Sequence, residues 1–171
     1  MPHNLLIEAE FLLRILLAAI FSAALGWERE RAGKPAGFRT HIVVGVTAAL
    51  FVITGILAVE QYGATTGVNV DPTRTIHAIA VGIGFLGAGL VVFSPRDERV
   101  KGLTTAASVW ATAAVGAASG YGLYLLASGT TVILLIVLNK LVSLDVSIDA
   151  IDDKRHTGEF RGPLIADDDD D

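Results

Sequence analysis

Long stretches without a charged side chain divide this chain of 171 residues. Three of them hold 20, 21 and 38 consecutive uncharged residues, at 40–59, 75–95 and 102–139. An α-helix needs about 20 apolar residues to cross a bilayer, and a soluble domain of this size would rarely contain three such stretches. The longest would extend about 57 Å as one helix, which is too long for a single crossing. Gly120-Tyr121-Gly122 divides it into two segments.

A further apolar segment precedes these stretches, at about 11–27. It lacks the basic N-terminal region of a signal peptide and leads directly into the charged residues 28–31, so we interpret it as a membrane span. The pattern therefore predicts an all-α fold, a polytopic membrane helix bundle with five transmembrane helices. Their expected bounds are about 11–27, 41–59, 74–93, 103–119 and 123–141.

The basic residues test this count, because Lys and Arg are enriched in cytoplasmic loops of membrane proteins. With five spans, the alternate sides carry 11 basic residues and 1, and Arg14 falls inside the first span. An even number of spans would remove this alternation. We therefore predict a multi-pass protein of the cell membrane with its N-terminus outside and its C-terminus in the cytoplasm.

Composition narrows the class of protein further. Hydrophobic residues make up 52% of the chain and charged residues 18%, against roughly 25% charged residues in soluble proteins. The net charge of −5 comes from the five aspartates at 167–171, so no broad basic surface for nucleic acid is expected. The absence of Cys excludes disulfides and thiolate metal sites. We assign 1–144 to a transmembrane domain and 145–171 to a polar, disordered cytoplasmic tail.

Polar side chains within or beside the spans suggest local interactions. Arg14 follows Glu10 by four residues, the favourable order for an ion pair. Arg14 either snorkels to the outer interface or is a buried functional cation. In the third span, the side chain of His77 either forms a hydrogen bond as part of the helix packing or acts as a ligand. Asp71 is placed to cap the start of that helix.

The third span is rich in glycine. Its sequence from Gly82 to Gly89 matches the GxGxxG pattern of dinucleotide sites, but the preceding strand and the acidic residue of such sites are missing. On a helix, Gly82 and Gly89 share one face, whereas Gly84 and Gly87 lie nearly opposite. Small residues allow close approach between membrane helices. Glycines on two faces predict that this span is central, either in a compact monomer or in a homodimer.

The fourth span carries small and hydroxyl residues at 3-4-4-3 spacing along one arc. They are Thr105, Ser108, Thr112, Gly116 and Ser119. Such a stripe is either a packing seam whose hydroxyls bond to the backbone of their own helix, or a polar path or ligand groove.

Three blocks resemble the MgtC/SapB family of bacterial and archaeal membrane proteins. They are GWERERAGKPAGFRTH at 26–41, DPTRTIHAIAVGIGFLGAG at 71–89 and GLTTAASVWATAAVGAASGYGLY at 102–124. The resemblance implies importance for the family's signature positions, which here are Glu28, Arg29, Gly37, Arg39, Thr40, Asp71, Arg74, Gly82, Gly84, Gly87, Gly89, Gly102, Thr104, Thr105 and Trp110. Many members have Gln and Ser where this chain has Ala78 and Val81, so either His77 compensates or this member lacks a polar function there.

The resemblance also implies a function linked to magnesium homeostasis at low Mg²⁺. The expected role is that of a regulator that contacts other membrane proteins, among them the F-type ATP synthase. The alternative is a transporter or channel for Mg²⁺ or another small solute. Mg²⁺ prefers oxygen ligands, but the three long uncharged stretches offer hydroxyls and no carboxylates.

Enzymatic activity is not expected from this sequence. No catalytic motif is recognised, and the four histidines lack metal-ligand spacing, so we predict neither catalytic residues nor a cofactor and name no metal site. The charged pairs Glu28–Arg29 and Asp71–Arg74 are predicted at opposite membrane faces. Each pair has either a direct functional role or a structural one.

Overall fold

The computed structural model describes residues 5–63, 71, 73–94 and 99–139. Five helices account for most of them: α1 (Leu5–Arg31), α2 (Phe38–Tyr62), α3 (Thr73–Leu90), α4 (Leu103–Gly120) and α5 (Tyr124–Asn139). Between α3 and α4 lie two short antiparallel strands, β1 (Val92–Ser94) and β2 (Arg99–Lys101). The predicted five-helix, all-α architecture is confirmed. The β-hairpin was not predicted, and α3 ends before it.

The chain divides into two compact units, at 1–136 and 137–171. Of the second unit, only the last three residues of α5 are described. The helix packing that follows is therefore that of the first unit. The predicted domain boundary at 144 and the polar tail at 145–171 lie outside the described residues.

Small residues allow the backbones of α1, α2 and α4 to approach closely. A Cβ atom on Gly116 would lie 2.2 Å from the carbonyl oxygen of Gly45, and one on Gly45 would lie 1.8 Å from Oγ of Ser22. A Cβ atom on Gly120 would lie 2.7 Å from the carbonyl oxygen of Ala49. Glycine is therefore needed where α2 meets α1 and α4, since any side chain would push the helices apart.

The hydroxyl stripe of α4 lies in this packing. The buried hydroxyls of Ser108 and Thr112 donate to the carbonyl oxygens of Thr105 and Ser108, each at 2.8 Å. The hydroxyl of Ser119 donates to the carbonyl of Val115 at 3.0 Å. Because these hydroxyls are bonded within their own helix, the stripe is a packing seam, the first of the two interpretations.

Within the single chain, the prediction that the third helix is central is wrong, and the homodimer stays a prediction. No residue of α3 is buried. A Cβ atom on Gly82, Gly84 or Gly89 would meet nothing within 4 Å, and one on Gly87 would meet only Ala106, at 3.8 Å. The glycines of α3 thus mediate no close helix contact in the part of the bundle that the structure describes.

α3 packs on the bundle through bulky side chains instead. Ile79, Ile83 and Leu90 contact the buried cluster that contains Val44 and Val109. Branched side chains keep two backbones apart, whereas the glycines of α2 and α4 allow direct backbone contact. For this reason α2 and α4, rather than α3, occupy the centre.

Two of the described helices, α2 and α3, are long and apolar enough to cross a membrane. α5 is apolar but shorter over its described length. α4 is dominated by Ala, Thr, Ser and Gly. The structure therefore agrees with a membrane protein, and the number of spans stays a prediction.

Replacement of Gly116 by Ala should weaken the fold. The added methyl group would overlap the backbone of Gly45, and overpacking of this kind costs about 1–3 kcal/mol. We expect a lower midpoint of thermal unfolding in detergent micelles, followed by circular dichroism. The control is Gly129→Ala on α5, where a Cβ atom meets nothing within 4 Å. Equal midpoints for the two variants would contradict the close approach of α2 and α4.

Candidate functional site

A buried ion pair lies at the C-terminal end of α1. The Arg29 side chain is fully buried and that of Glu28 is 10% exposed. The Nε and Nη2 atoms of Arg29 donate to the two carboxylate oxygens of Glu28, and the second of these bonds is 2.6 Å long. This two-pronged geometry is the strongest that Arg makes with a carboxylate. A charge this far from water persists only with such a partner.

The turn between α1 and α2 holds this pair in place. α1 crosses α2 at Gly26, where a Cβ atom would lie 2.8 Å from Cα of Phe38 and 2.9 Å from Cβ of His41. Gly33 reverses the chain with a φ of 65°, a conformation that favours glycine. The carboxylate of Glu30 accepts the backbone N–H of Phe38 at 2.8 Å. It thereby satisfies one free donor at the start of α2.

His41 links this region to α4. Its ring is fully buried, with Nδ1 at 2.9 Å from the carbonyl oxygen of Gly37 and Nε2 at 3.3 Å from Oγ of Ser108. The ring also interacts electrostatically with Arg29 and Glu28. We call Glu28, Arg29, His41 and Ser108 the Arg29 cluster. It connects α1, α2 and α4 through buried polar groups.

The structure brings together only part of the first signature block. Glu28 and Arg29 form the cluster and Gly37 accepts the hydrogen bond from His41, whereas Arg39 and Thr40 are exposed on the first turn of α2. Sequence reasoning did not select His41 as a site residue. The available signal was its spacing, since His41 precedes Gly45 by four residues and so shares the face of α2 that packs inward.

A second group lies at the start of α3, beside the C-terminal half of α2. Asp71 caps the helix as predicted: its Oδ1 accepts the backbone N–H of Thr73 at 2.9 Å and the Thr73 hydroxyl at 2.7 Å. These bonds lower the pKa of Asp71 below its ordinary value, because they favour the carboxylate. Arg74 and His77 are exposed, and Nδ1 of His77 lies 3.1 Å from the carbonyl oxygen of Thr73 in its own helix.

Arg14 joins α1 to the C-terminal end of α4. Its Nη1 donates to the carbonyl oxygen of Gly120 at 3.1 Å, and its Nη2 forms the predicted ion pair with Glu10. The guanidinium carbon also lies 5.5 Å from the ring centre of Phe11. A cation is favourable here, since the carbonyls at a helix C-terminus carry partial negative charge.

The third signature block contributes mainly to the backbone and the surface. Gly102 has a φ of 92°, and a Cβ atom there would lie 1.9 Å from the carbonyl oxygen of Leu90, so only glycine fits. Thr105 is buried in the seam, whereas Thr104 and Trp110 are exposed. Within the described residues, no three His, Asp or Glu side chains come together as a metal site would require.

Comparison with known proteins gives one consistent family. A family model described as the MgtC family matches residues 15–146. The chain is 42% identical over 130 residues to the Escherichia coli K12 protein named "Putative magnesium transporter YhiD", covering 76% of this chain and 60% of that protein. It is 35% identical over 118 residues to Protein SapB of Bacillus subtilis, covering 69% and 50%.

Protein MgtC of Salmonella typhimurium LT2 is 34% identical over 125 residues, covering 73% of this chain and 49% of that protein. The chain thus spans between about half and three fifths of the length of these relatives. No solved structure matches it.

Replacement of Arg29 by Gln should strongly destabilise the protein, because it leaves the carboxylate of Glu28 without its partner. Loss of one member of a buried ion pair costs about 3–5 kcal/mol. The measurement is the free energy of unfolding in detergent micelles. The matched control is Arg31→Gln: the Arg31 side chain is exposed, and such surface changes stay within about 0.5 kcal/mol. Similar losses for both variants would contradict a buried pair.

Proposed function

Since the chain belongs to the MgtC family, we propose that it is a multi-pass protein of the cell membrane that serves Mg²⁺ homeostasis as a non-enzymatic regulator. It acts by contact with another membrane protein. The outward face of α3 carries this proposal.

Two small residues lie four positions apart on that face. Gly84 and Ala88 are both exposed, and small residues at this spacing allow membrane helices to come into close contact. A Cβ atom on Gly84 would meet nothing within 4 Å. The neighbouring side chains of Val81 and Phe85 are 74% and 81% exposed. A second helix fits against Gly84, with these two apolar side chains on one flank.

The interior of the bundle supports contact with a partner rather than passage of an ion. The seam hydroxyls of Ser108, Thr112 and Ser119 are bonded to carbonyls of their own helix. The charge of Arg29 is paired with that of Glu28. Because these groups are engaged in bonds that hold the bundle together, we expect the functional contacts on its surface.

The ends of the helices support the proposed orientation. The turn at 32–37 and the β-hairpin follow α1 and α3, and residues 121–123 follow α4. Most of the basic residues of the domain at 1–144 lie in the turn at 32–37, in the β-hairpin or at the helix ends beside them. We place that end of the bundle in the cytoplasm and residues 121–123 on the outer side.

Mg²⁺ transport is the second candidate function, and the name of the relative YhiD favours it. Proteoliposomes loaded with a Mg²⁺-sensitive dye distinguish the two functions. A transporter gives Mg²⁺ influx that depends on the protein, whereas a regulator alone gives the rate of empty liposomes.

The proposed orientation predicts opposite labelling of two single-cysteine variants. The chain has no native cysteine, so Lys34→Cys and Tyr121→Cys each introduce a unique thiol. A membrane-impermeant maleimide should label the second variant in intact cells and the first only in inverted vesicles. Labelling of both from one side would contradict the orientation.

The contact proposal predicts that Gly84→Leu removes a specific partner. A photo-crosslinker on the single cysteine of Ala88→Cys should capture one membrane protein in native membranes, because the small-residue face lies against it. The F-type ATP synthase is the first candidate, by resemblance to the family. Addition of Gly84→Leu should abolish the adduct and also the growth of a complemented deletion strain at limiting Mg²⁺.

The matched control for this experiment is Gly129→Leu on α5, where a Cβ atom also meets nothing within 4 Å. This variant should keep both the adduct and the growth. An unchanged adduct in Gly84→Leu would overturn the proposed contact. Normal growth of the deletion strain at limiting Mg²⁺ would overturn the link to homeostasis.

A further inference from the structure

An apolar groove of about 310 Å³ lies between α2 and α3. α2 contributes Val43, Thr47 and Phe51, and α3 contributes Ala78, Gly82 and Leu86. The groove is open at Gly82, since a Cβ atom there would meet nothing within 4 Å. This face of α3 differs from the Gly84 face, because residues two apart on a helix point about 160° apart from each other.

A basic residue of α2, Arg39, lies one helical turn before the first residue that lines the groove. Arg39 precedes Val43 by four residues and Thr47 by eight, so the three share one face of α2. The Cα atom of Arg39 lies about 6 Å beyond that of Val43 along the helix axis. The Arg39 side chain is exposed. Among the described residues, no acidic side chain forms an ion pair with it.

The size of the groove decides between a lipid chain and another helix. The wall from Val43 to Phe51 is about 12 Å long, and a helix segment of that length and about 10 Å in diameter occupies about 900 Å³. The groove offers less than this volume. A helix therefore cannot lie inside it, whereas a single acyl chain, with its much smaller cross-section, can.

We propose that the groove binds an anionic glycerophospholipid. One acyl chain lies along Gly82 between α2 and α3, and the phosphate pairs with the guanidinium of Arg39. Basic side chains at the cytoplasmic rim of membrane helices attract such headgroups. The site rests on the proposed placement of the bundle in the membrane and is independent of the partner on the Gly84 face.

Native mass spectrometry of the full chain tests this site. The protein is released from micelles that contain phosphatidylglycerol or phosphatidylcholine with identical acyl chains. We expect the unmodified chain to retain more phosphatidylglycerol, by about fivefold for one cation at the headgroup. Arg39→Gln should remove this preference. Gly82→Leu should displace both lipids, because the leucine side chain fills the groove.

The matched control is Gly84→Leu, the same substitution on the same helix but outside the groove, which should retain lipid as the unmodified chain does. Equal retention by Gly82→Leu and Gly84→Leu would overturn the groove, and a preference unchanged in Arg39→Gln would overturn the phosphate contact. A dimer peak that Gly82→Leu removes would show a second copy in the groove and also overturn the proposal. The crosslinking and growth experiments test the regulatory role by themselves, so its failure is distinguishable from failure of the lipid site.

Discussion

Direct backbone contact among α1, α2 and α4 is the constraint on which the rest of the structure depends. Gly45 meets Ser22 on one side and Gly116 on the other, at separations that leave no room for a Cβ atom. In a bilayer, where apolar burial between helices gains little, close packing of this kind holds helices together. It also sets the position of α4 against the end of α1, and this position brings Ser108 to the ring of His41.

The buried charges follow from this packing. Arg29 lies where α1 and α2 cross, and such a position is tolerable only because Glu28 engages it through two hydrogen bonds. At the other end of α4, Arg14 binds the carbonyl of Gly120. These charges hold the helix ends together, and the two surfaces that we propose for function lie on α3 instead: one face for a partner helix and a groove for a lipid.

The sequence predicted the features that depend on short-range spacing. The five helices, the ion pair of Glu10 with Arg14 and the cap at Asp71 each involve residues within a turn or two of each other. The resemblance selected Glu28 and Arg29, which do form a buried pair. The resemblance gave no means of telling the buried Arg29 from the exposed Arg39, because both are arginines in the same signature block.

Sequence alone therefore determined where the helices lie and which residues share a helix face. Tertiary structure alone decided which face meets which neighbour. Gly84 and Gly116 look equivalent in sequence, yet Gly116 lies against the backbone of Gly45 and Gly84 faces outward. The reason is physical: close approach of two helices needs small residues on both of them, at positions that match along the helix axes. That match exists between α2 and α4, whereas bulky Ile79 and Ile83 hold α3 away.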